Sequence, residues 1–308
     1  MKALIHIGMP KAGSSSIQAF LKRNRKALAE QGVRYAPLTP RYGSQYELAM
    51  AGLLRSGNKL RKQLSLRVLR SAEVSAQQAY VDRFEKHLIA GRKRWSEGLY
   101  IGSSEHIHAW LDNAKQIKAL DHFLCEHFES VHYLIYLRRQ EDAILSAWSE
   151  RVRRGDTIDL DGHIQDRLDW LNYWKSVRLW TRAVGDERFT TRLMSADAMV
   201  DGDLIADFCA QAGIDHAELT MPRRMNQTLS LEAIMLRRRL SRVLSVRNRK
   251  GRYSKVYFLA LKALDWRLPR PGTRATLTDE QRLVLHEACA AGNEKLRARY
   301  FPERETLF

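Results

Sequence analysis

The segment ALIHIGMPKAGSSSIQ, residues 3–18, constrains the fold of this chain more than any other part of it. Its first six residues, ALIHIG, are a short apolar run typical of a buried strand. A loop rich in glycine and serine follows, and an apolar periodicity over residues 17–31, ended by Gly32, predicts a helix. The segment therefore predicts a strand, a loop and a helix in succession, the basic unit of an α/β protein.

Further strands are expected at LYIGSS (99–104), at VHYLIYL (131–137) and at residues 188–193. Helical patterns lie at 105–128, 140–154 and 162–184. Strands that alternate with helices predict an α/β fold with a central, mainly parallel sheet flanked by helices. Residues 44–95 are predicted as a helical insertion and residues 201–308 as a mostly helical C-terminal part. Because no clean linker divides the chain, we expect a single domain over 1–308.

Charge is concentrated in one part of the sequence. The chain of 308 residues has a formal net charge of +17, and residues 221–275 carry fifteen Lys and Arg against two acidic residues. Such a field favours an anionic partner, although a solvated basic face would have the same composition. Within this region YSKVYFLALKALDW (253–266) is apolar and aromatic with basic flanks, so it fits either an anionic membrane surface or an ordinary core helix.

The lack of a targeting signal and the wide spacing of the cysteines indicate an ordinary intracellular protein. The N-terminal segment lacks a signal-peptide pattern, and no apolar run approaches the ~20 residues that span a bilayer. We therefore expect a cytoplasmic location, either free or in peripheral contact with the inner membrane face. Three widely spaced cysteines, Cys125, Cys209 and Cys289, argue against a disulfide framework and a structural zinc site.

The loop after the first strand has the spacing of a phosphate-binding loop but not its usual lysine. Gly8 and Gly13 match the glycines of G-x-x-x-x-G-K-[ST], whereas Ser14 occupies the lysine position and the lysine is Lys11. This weakens an interpretation as a kinase or ATPase. The amides of a helix start, together with the serine hydroxyls, still form a good anion cradle. A Gly/Ser turn that caps a helix would explain the same residues without any ligand.

The segment PKAGSSSIQ (10–18) resembles the 5′-phosphosulfate loop of sulfotransferases, and it is most similar to bacterial sulfotransferase-family proteins in which the loop reads close to PKTGTTSLQ. The resemblance implies a P-loop-like sulfotransferase fold with 3′-phosphoadenosine 5′-phosphosulfate as the donor. It implies that Lys11 contacts the bridging oxygen of the donor. It also implies that Gly13, Ser14 and Ser15 hold the 5′-phosphate, with Ala12 and Ser16 in the same donor-binding loop. Ala12 replaces the usual Ser or Thr, which removes a hydroxyl but keeps the backbone.

A second segment, YLIYLRRQEDAILSAW (133–148), resembles the 3′-phosphate motif of the same family. In that motif a strand ends in Arg, and Ser follows eight residues later on the next helix; Arg138 and Ser146 fit. Arg139-Gln140 replaces the commoner Asp-Pro, so Arg139 is an alternative contact. Similarity also extends to residues 223–238 and 277–302. Segments 248–255 and 269–274 are candidates for a basic loop that closes over the 3′-phosphate.

Sulfuryl transfer needs positive charge on the departing bridging oxygen and a base for the acceptor proton, and we expect no metal. In GSSEHIH (102–108) the residues after the predicted strand lie where open α/β sheets bind ligands. The resemblance implies a glutamate base there, Glu105. His106 and His108 are alternatives because they follow closely and the pKa of histidine suits the role. A helix start with Glu105 in its first turn would also explain this segment. The expected acceptor is a hydroxyl or amine of a carbohydrate or glycolipid.

Two other functions fit parts of the sequence. One is a P-loop kinase or nucleotidase with a displaced lysine, which would need Mg²⁺ and ATP. The other is a nucleic-acid or membrane-surface binding protein driven by the basic region, although no aromatic-basic pattern of a known RNA-binding module is present. For that reason nucleic acid is not expected as a partner.

Overall fold

The computed structural model describes residues 1–39, 44–95, 97–222, 228–247, 253–269 and 271–308. It confirms the predicted fold class, an α/β protein with a parallel sheet flanked by helices and a mostly helical C-terminal part. Three segments singled out above, 223–238, 248–255 and 269–274, lie partly outside the described residues. Their sequence interpretations therefore remain predictions.

Within the described residues the sheet has five strands in the order β2-β3-β1-β4-β5, and each neighbouring pair is parallel. The strands are β1 (Lys2–Gly8), β2 (Val33–Arg34), β3 (Leu99–Ser103), β4 (Ser130–Leu137) and β5 (Phe189–Leu193). In β1, Ala3, Leu4, Ile5 and Ile7 are at most 5% exposed. A strand that is apolar at successive positions is buried on both faces, as a central parallel strand must be.

Helices connect and follow the strands. Their bounds are α1 (Ser14–Arg23), α2 (Arg25–Glu30), α3 (Tyr46–Arg55), α4 (Lys62–Leu69), α5 (Val74–Arg94), α6 (Glu105–Trp110), α7 (Ala114–Cys125), α8 (Gln140–Arg153), α9 (Leu160–Gln165), α10 (Tyr173–Val184), α11 (Leu204–Ala212), α12 (Leu231–Val243), α13 (Lys255–Asp265) and α14 (Asp279–Tyr300). Helices α3, α4 and α5 form the predicted helical insertion. None of the described helices is both long and apolar enough to cross a membrane.

The helix predicted over 17–31 begins earlier, at Ser14, and is divided at Asn24. The Asn24 amide donates to the carbonyls of Phe20 and Thr220 at 3.0 Å, and its oxygen accepts from the Thr220 N–H at 2.9 Å. A side chain that bonds the backbone in this way competes with the helix.

The helix predicted over 105–128 is also divided, here by the cap of α7. The Asn113 side chain accepts from the Gln116 N–H at 3.1 Å, which starts a new helix after residues 111–113. The pattern over 162–184 likewise separates into α9 and α10. Strand β2 was not predicted, because two residues are too short for a periodic pattern.

Contacts divide the described residues into two compact units. The first comprises Met1–Arg138, Lys175–Met225 and Phe308, and it contains the whole sheet. The second comprises Arg139–Trp174 and Asn226–Leu307, and it contains α8, α9, α12, α13 and α14. A single domain over 1–308 stays a prediction.

Candidate active site

The loop between β1 and α1 has an unusual backbone. Gly13 directly precedes α1 with φ +81°, and Lys11 has φ +73°. A Cβ at Gly13 would lie 2.1 Å from the Leu204 Cδ2 of α11, so only glycine fits there without movement. A left-handed lysine is uncommon, and backbones of this kind cluster at functional sites. The loop therefore holds Lys11 in a conformation that the local sequence does not favour.

Hydrogen bonds fix the loop to the sheet. The Met9 N–H donates to the Tyr136 carbonyl of β4 at 3.2 Å, and the Ala12 N–H donates to the Met9 carbonyl at 3.2 Å. The buried Ser14 hydroxyl also donates to the Met9 carbonyl, at 3.4 Å. Ser14 thus supports the loop with its side chain, whereas Ser15 and Ser16 are half-buried.

Arg138, at the end of β4, lies against the same loop. Its Nη1 donates to the Lys11 carbonyl at 3.1 Å, across 127 positions of sequence. The structure therefore places the arginine of the second predicted motif beside the lysine of the first. Ser146, the partner expected for Arg138, lies on α8 in the second unit. Its role stays a prediction.

Glu105 begins α6 directly after β3 and also approaches the loop. The Ser104 N–H donates to the His6 carbonyl of β1 at 2.9 Å, which holds the two strand ends together. A Cβ at Gly8 would lie 3.1 Å from the Glu105 Cα, so the backbones are nearly in contact. The Gln18 amide of α1 donates to Glu105 Oε2 at 2.8 Å. The candidate base thus lies within contact of the helix that the loop starts.

The Glu105 carboxylate is only 25% exposed, and its surroundings determine its charge. Burial raises its pKa, but His106, 3.7 Å away, and the hydrogen bond from Gln18 together bring the pKa below the ordinary 4.5. His106 Nδ1 also shares a 2.8 Å hydrogen bond with the Ser44 hydroxyl. Near neutral pH the site therefore presents an ionised carboxylate that can accept a proton.

His108 has a different environment from Glu105 and His106. Its Nε2 shares a 3.0 Å hydrogen bond with the Ser176 hydroxyl of α10. Burial lowers the pKa of His108 to about 4, so its imidazole is neutral near pH 7.

Three residues that the sequence did not single out belong to the site. Gln18 was visible as part of PKAGSSSIQ, but nothing in the sequence marked its contact with Glu105. Tyr46 and Trp110 stack with ring centroids 5.7 Å apart, and each lies within 5 Å of the His106 ring centroid. The spacing of His106 and Trp110 on one helix predicts their contact. Tyr46 comes from the helical insertion and gave no such signal.

A group of possible metal ligands lies elsewhere, near the start of β4. Ligand atoms of Glu85, Glu126 and His127 lie within 4.8 Å of one another. Arg55 donates to Glu126 at 2.7 Å and to Glu85 at 3.0 Å. Because a guanidinium already pairs with both carboxylates, we interpret this group as a structural ion-pair cluster.

Comparisons with known proteins give little further guidance. No protein-family model matches the chain, and no curated protein matches it. Among solved structures, the chain is similar to that of a sulfotransferase from Alicyclobacillus acidocaldarius at 15% identity. The alignment covers 84% of this chain and 99% of that chain, with a TM-score of 0.45. This similarity is too distant to bear on function.

Proposed function

We propose that the chain is a sulfotransferase that moves a sulfuryl group from 3′-phosphoadenosine 5′-phosphosulfate to a hydroxyl or amine. The observation that carries the proposal is the hydrogen bond from the Arg138 guanidinium to the Lys11 carbonyl. It joins the two segments that resemble the 5′- and 3′-phosphate motifs of the family. A carboxylate, Glu105, adjoins the same loop.

The loop supplies the positive charge for an anionic donor. Backbone N–H groups at the start of α1, with the hydroxyls of Ser15 and Ser16, bind the 5′-phosphate. Lys11 stabilises the negative charge that develops on the bridging oxygen as its bond to sulfur breaks. This role follows the resemblance, in which the lysine before the second glycine contacts the bridging oxygen; in this chain that lysine has a left-handed backbone.

The 3′-phosphate is assigned to Arg138 and Ser146 by their spacing, with Arg139 as the alternative arginine. A guanidinium can bind a phosphate through two parallel N–H bonds, which suits this task better than a lysine. Because Arg138 also bonds the Lys11 carbonyl, binding of the 3′-phosphate would be coupled to the conformation of the catalytic loop.

Glu105 acts as the general base. It takes the proton of the acceptor O–H or N–H as the new bond to sulfur forms, and adenosine 3′,5′-bisphosphate leaves with the bridging oxygen. Gln18 fixes the orientation of the carboxylate, and its pKa below 4.5 keeps it ionised near neutral pH. His106 and His108 remain the alternative bases.

A carbohydrate or glycolipid is the proposed acceptor class. Tyr46, His106 and Trp110 form a partly exposed aromatic group beside Glu105. Aromatic surfaces with a few placed polar groups are typical of small-molecule sites, and they suit the alternating apolar and hydroxyl surfaces of a sugar.

Nucleotide binding and transfer test the proposal. Adenosine 3′,5′-bisphosphate should raise the melting temperature of the wild-type protein, and labelled donor should give a labelled product with polysaccharide or glycolipid extracts. Lys11→Gln should lower the rate of transfer by about 10²- to 10³-fold. Lys26→Gln, which changes an exposed lysine on α2, is the matched control and should retain activity. Failure to bind the bisphosphate, or tighter binding of Mg²⁺ and ATP, would refute the assignment in favour of a kinase or nucleotidase.

The base is tested separately. Glu105→Gln should lower kcat by about 10²- to 10⁴-fold while the affinity for adenosine 3′,5′-bisphosphate stays unchanged. His106→Gln and His108→Gln should each have a smaller effect. A larger loss in either histidine variant would transfer the role of base to that residue.

A further inference from the structure

Helix α13 in the second unit has an inner apolar face. Tyr257 and Leu261 on this face are 0% and 6% exposed, and they pack with Leu240 and Val246 in one buried cluster. This packing accounts for the fold of α13 and its attachment to α12. Ala260 also packs against this cluster, whereas Val256 and Leu259 are not among its members.

The other side of α13 presents a second apolar surface, which we call the outer stripe. It consists of Val256, Leu259 and Ala263 of the helix and of Trp266, which caps its C-terminal end with a helical backbone. Their spacing of three, four and three residues places them along one line of the helix. Val256 is 63% exposed, and Leu259 and Trp266 are each 68% exposed. Single exposed apolar residues are ordinary, but a continuous line of them on one helix marks an interaction surface.

Positive charges border the outer stripe on both edges. By their helical positions, Lys255 and Lys262 lie along one edge and Arg267 along the other, and all three are exposed. Asp265, the acidic residue of the helix, is half-buried and lies on a different side. An apolar line between two basic edges is the pattern of a helix that lies in the plane of a membrane interface.

Exposed apolar and aromatic residues also occur at the end of α12 and just before α13. Val243, at the end of α12, is 77% exposed, and Tyr253, just before α13, is 62% exposed. The Arg247 guanidinium lies over the Tyr253 ring, 4.1 Å from its centroid. Tyrosine and tryptophan, which have an apolar body and a polar edge, are favoured at the interface between lipid and water.

We propose that the outer stripe and its basic edges bind the surface of an anionic membrane. A second copy of the chain would bring the basic edges of two stripes together and would be opposed by their charge. Nucleic acid would use the cations but leave Val256 and Leu259 exposed. An anionic bilayer fits both the apolar stripe and its basic edges, because it accepts the stripe between its headgroups and attracts the lysines and the arginine.

Sedimentation of the full chain with lipid vesicles tests the proposal. The wild type should bind vesicles of equal parts phosphatidylglycerol and phosphatidylcholine, and binding should weaken with added salt. The double substitution Val256→Glu and Leu259→Glu should lower the partition coefficient by about tenfold or more. Lys255→Gln and Lys262→Gln should each lower it by about fivefold.

Leu283→Glu is the matched control, because Leu283 is 57% exposed on α14 and should not affect binding. Trp266→Ser provides a second variant of the stripe, and melting temperatures show whether each variant is folded. The proposal is overturned by equal binding to pure phosphatidylcholine, by no binding, or by unchanged binding of both stripe variants. It is also overturned if the chain forms a dimer without lipid and the stripe variants abolish that dimer. A third contrary result would be binding of duplex DNA that the stripe substitutions leave intact.

Discussion

The hydrogen bond between Gln18 and Glu105 should stabilise the protein through the charge of the carboxylate. The Gln18 amide is 4% exposed and donates to Glu105 Oε2 at 2.8 Å. A hydrogen bond to a charged group contributes about 1.5–3 kcal/mol, and the 25% exposure of the carboxylate reduces this to about 1–2 kcal/mol. Gln18→Leu should lower the free energy of unfolding by that amount near neutral pH.

The size of this loss should depend on pH. Because the native pKa of Glu105 lies below its ordinary value of 4.5, the ionised carboxylate contributes stability above pH 4.5. That contribution disappears as the pH falls through the native pKa, since the carboxyl is then protonated in both states. The difference between wild type and Gln18→Leu should therefore decrease in acid, as measured by urea denaturation at a series of pH values.

A double-mutant cycle isolates the charged part of the interaction. Glu105→Gln keeps the shape of the side chain but leaves a neutral acceptor, for which a hydrogen bond contributes about 0.5–1.5 kcal/mol, reduced by the same exposure to about 0.3–1 kcal/mol. In that background Gln18→Leu should cost about 1 kcal/mol less than it does in the wild type. Additive effects within about 0.5 kcal/mol, or a difference that does not vary with pH, would show that Gln18 does not act through the carboxylate charge.

Two further substitutions test the packing around the site. Gly13→Ala should lower the free energy of unfolding by about 2–5 kcal/mol, because a left-handed backbone and a clash with Leu204 act together. Gly32 is also left-handed but lies in open space. As the control, Gly32→Ala should therefore lower the free energy of unfolding by only about 1–2 kcal/mol in the same denaturation assay. Asp207→Asn should cost about 3 kcal/mol, because Asp207 is fully buried and pairs with Arg192. A loss below 1 kcal/mol would mean that this pair contributes little to stability.

Much of the fold follows from local patterns in the sequence. The apolar runs of β1 and β4 are long enough to be recognised, and their burial agrees with a central position in a parallel sheet. The division of the first helix at Asn24 is different, because it depends on Thr220, 196 positions away. A periodic pattern carries no information about such a contact, so it predicts one continuous helix.

The candidate site likewise has a part that the sequence predicts and a part that it does not. Lys11, Arg138 and Glu105 follow predicted strands, and the carboxyl ends of parallel strands meet at one edge, so their proximity could be expected. The hydrogen bonds that orient these residues could not be predicted from the sequence. Gln18 reaches Glu105 across 87 positions, and Arg138 bonds a backbone carbonyl rather than a side chain.

The burial of Ser14 explains why the lysine of this loop precedes the second glycine. Ser14 is 5% exposed, and its hydroxyl is bonded to the Met9 carbonyl. A lysine at this position would have to bury its ammonium group or displace the loop, and an uncompensated buried charge costs several kcal/mol. Position 11 avoids this cost, because Lys11 lies in the half-buried turn before α1 with its carbonyl fixed by Arg138. The packing that excludes a lysine from the usual position thus leaves room for one at position 11, three residues earlier.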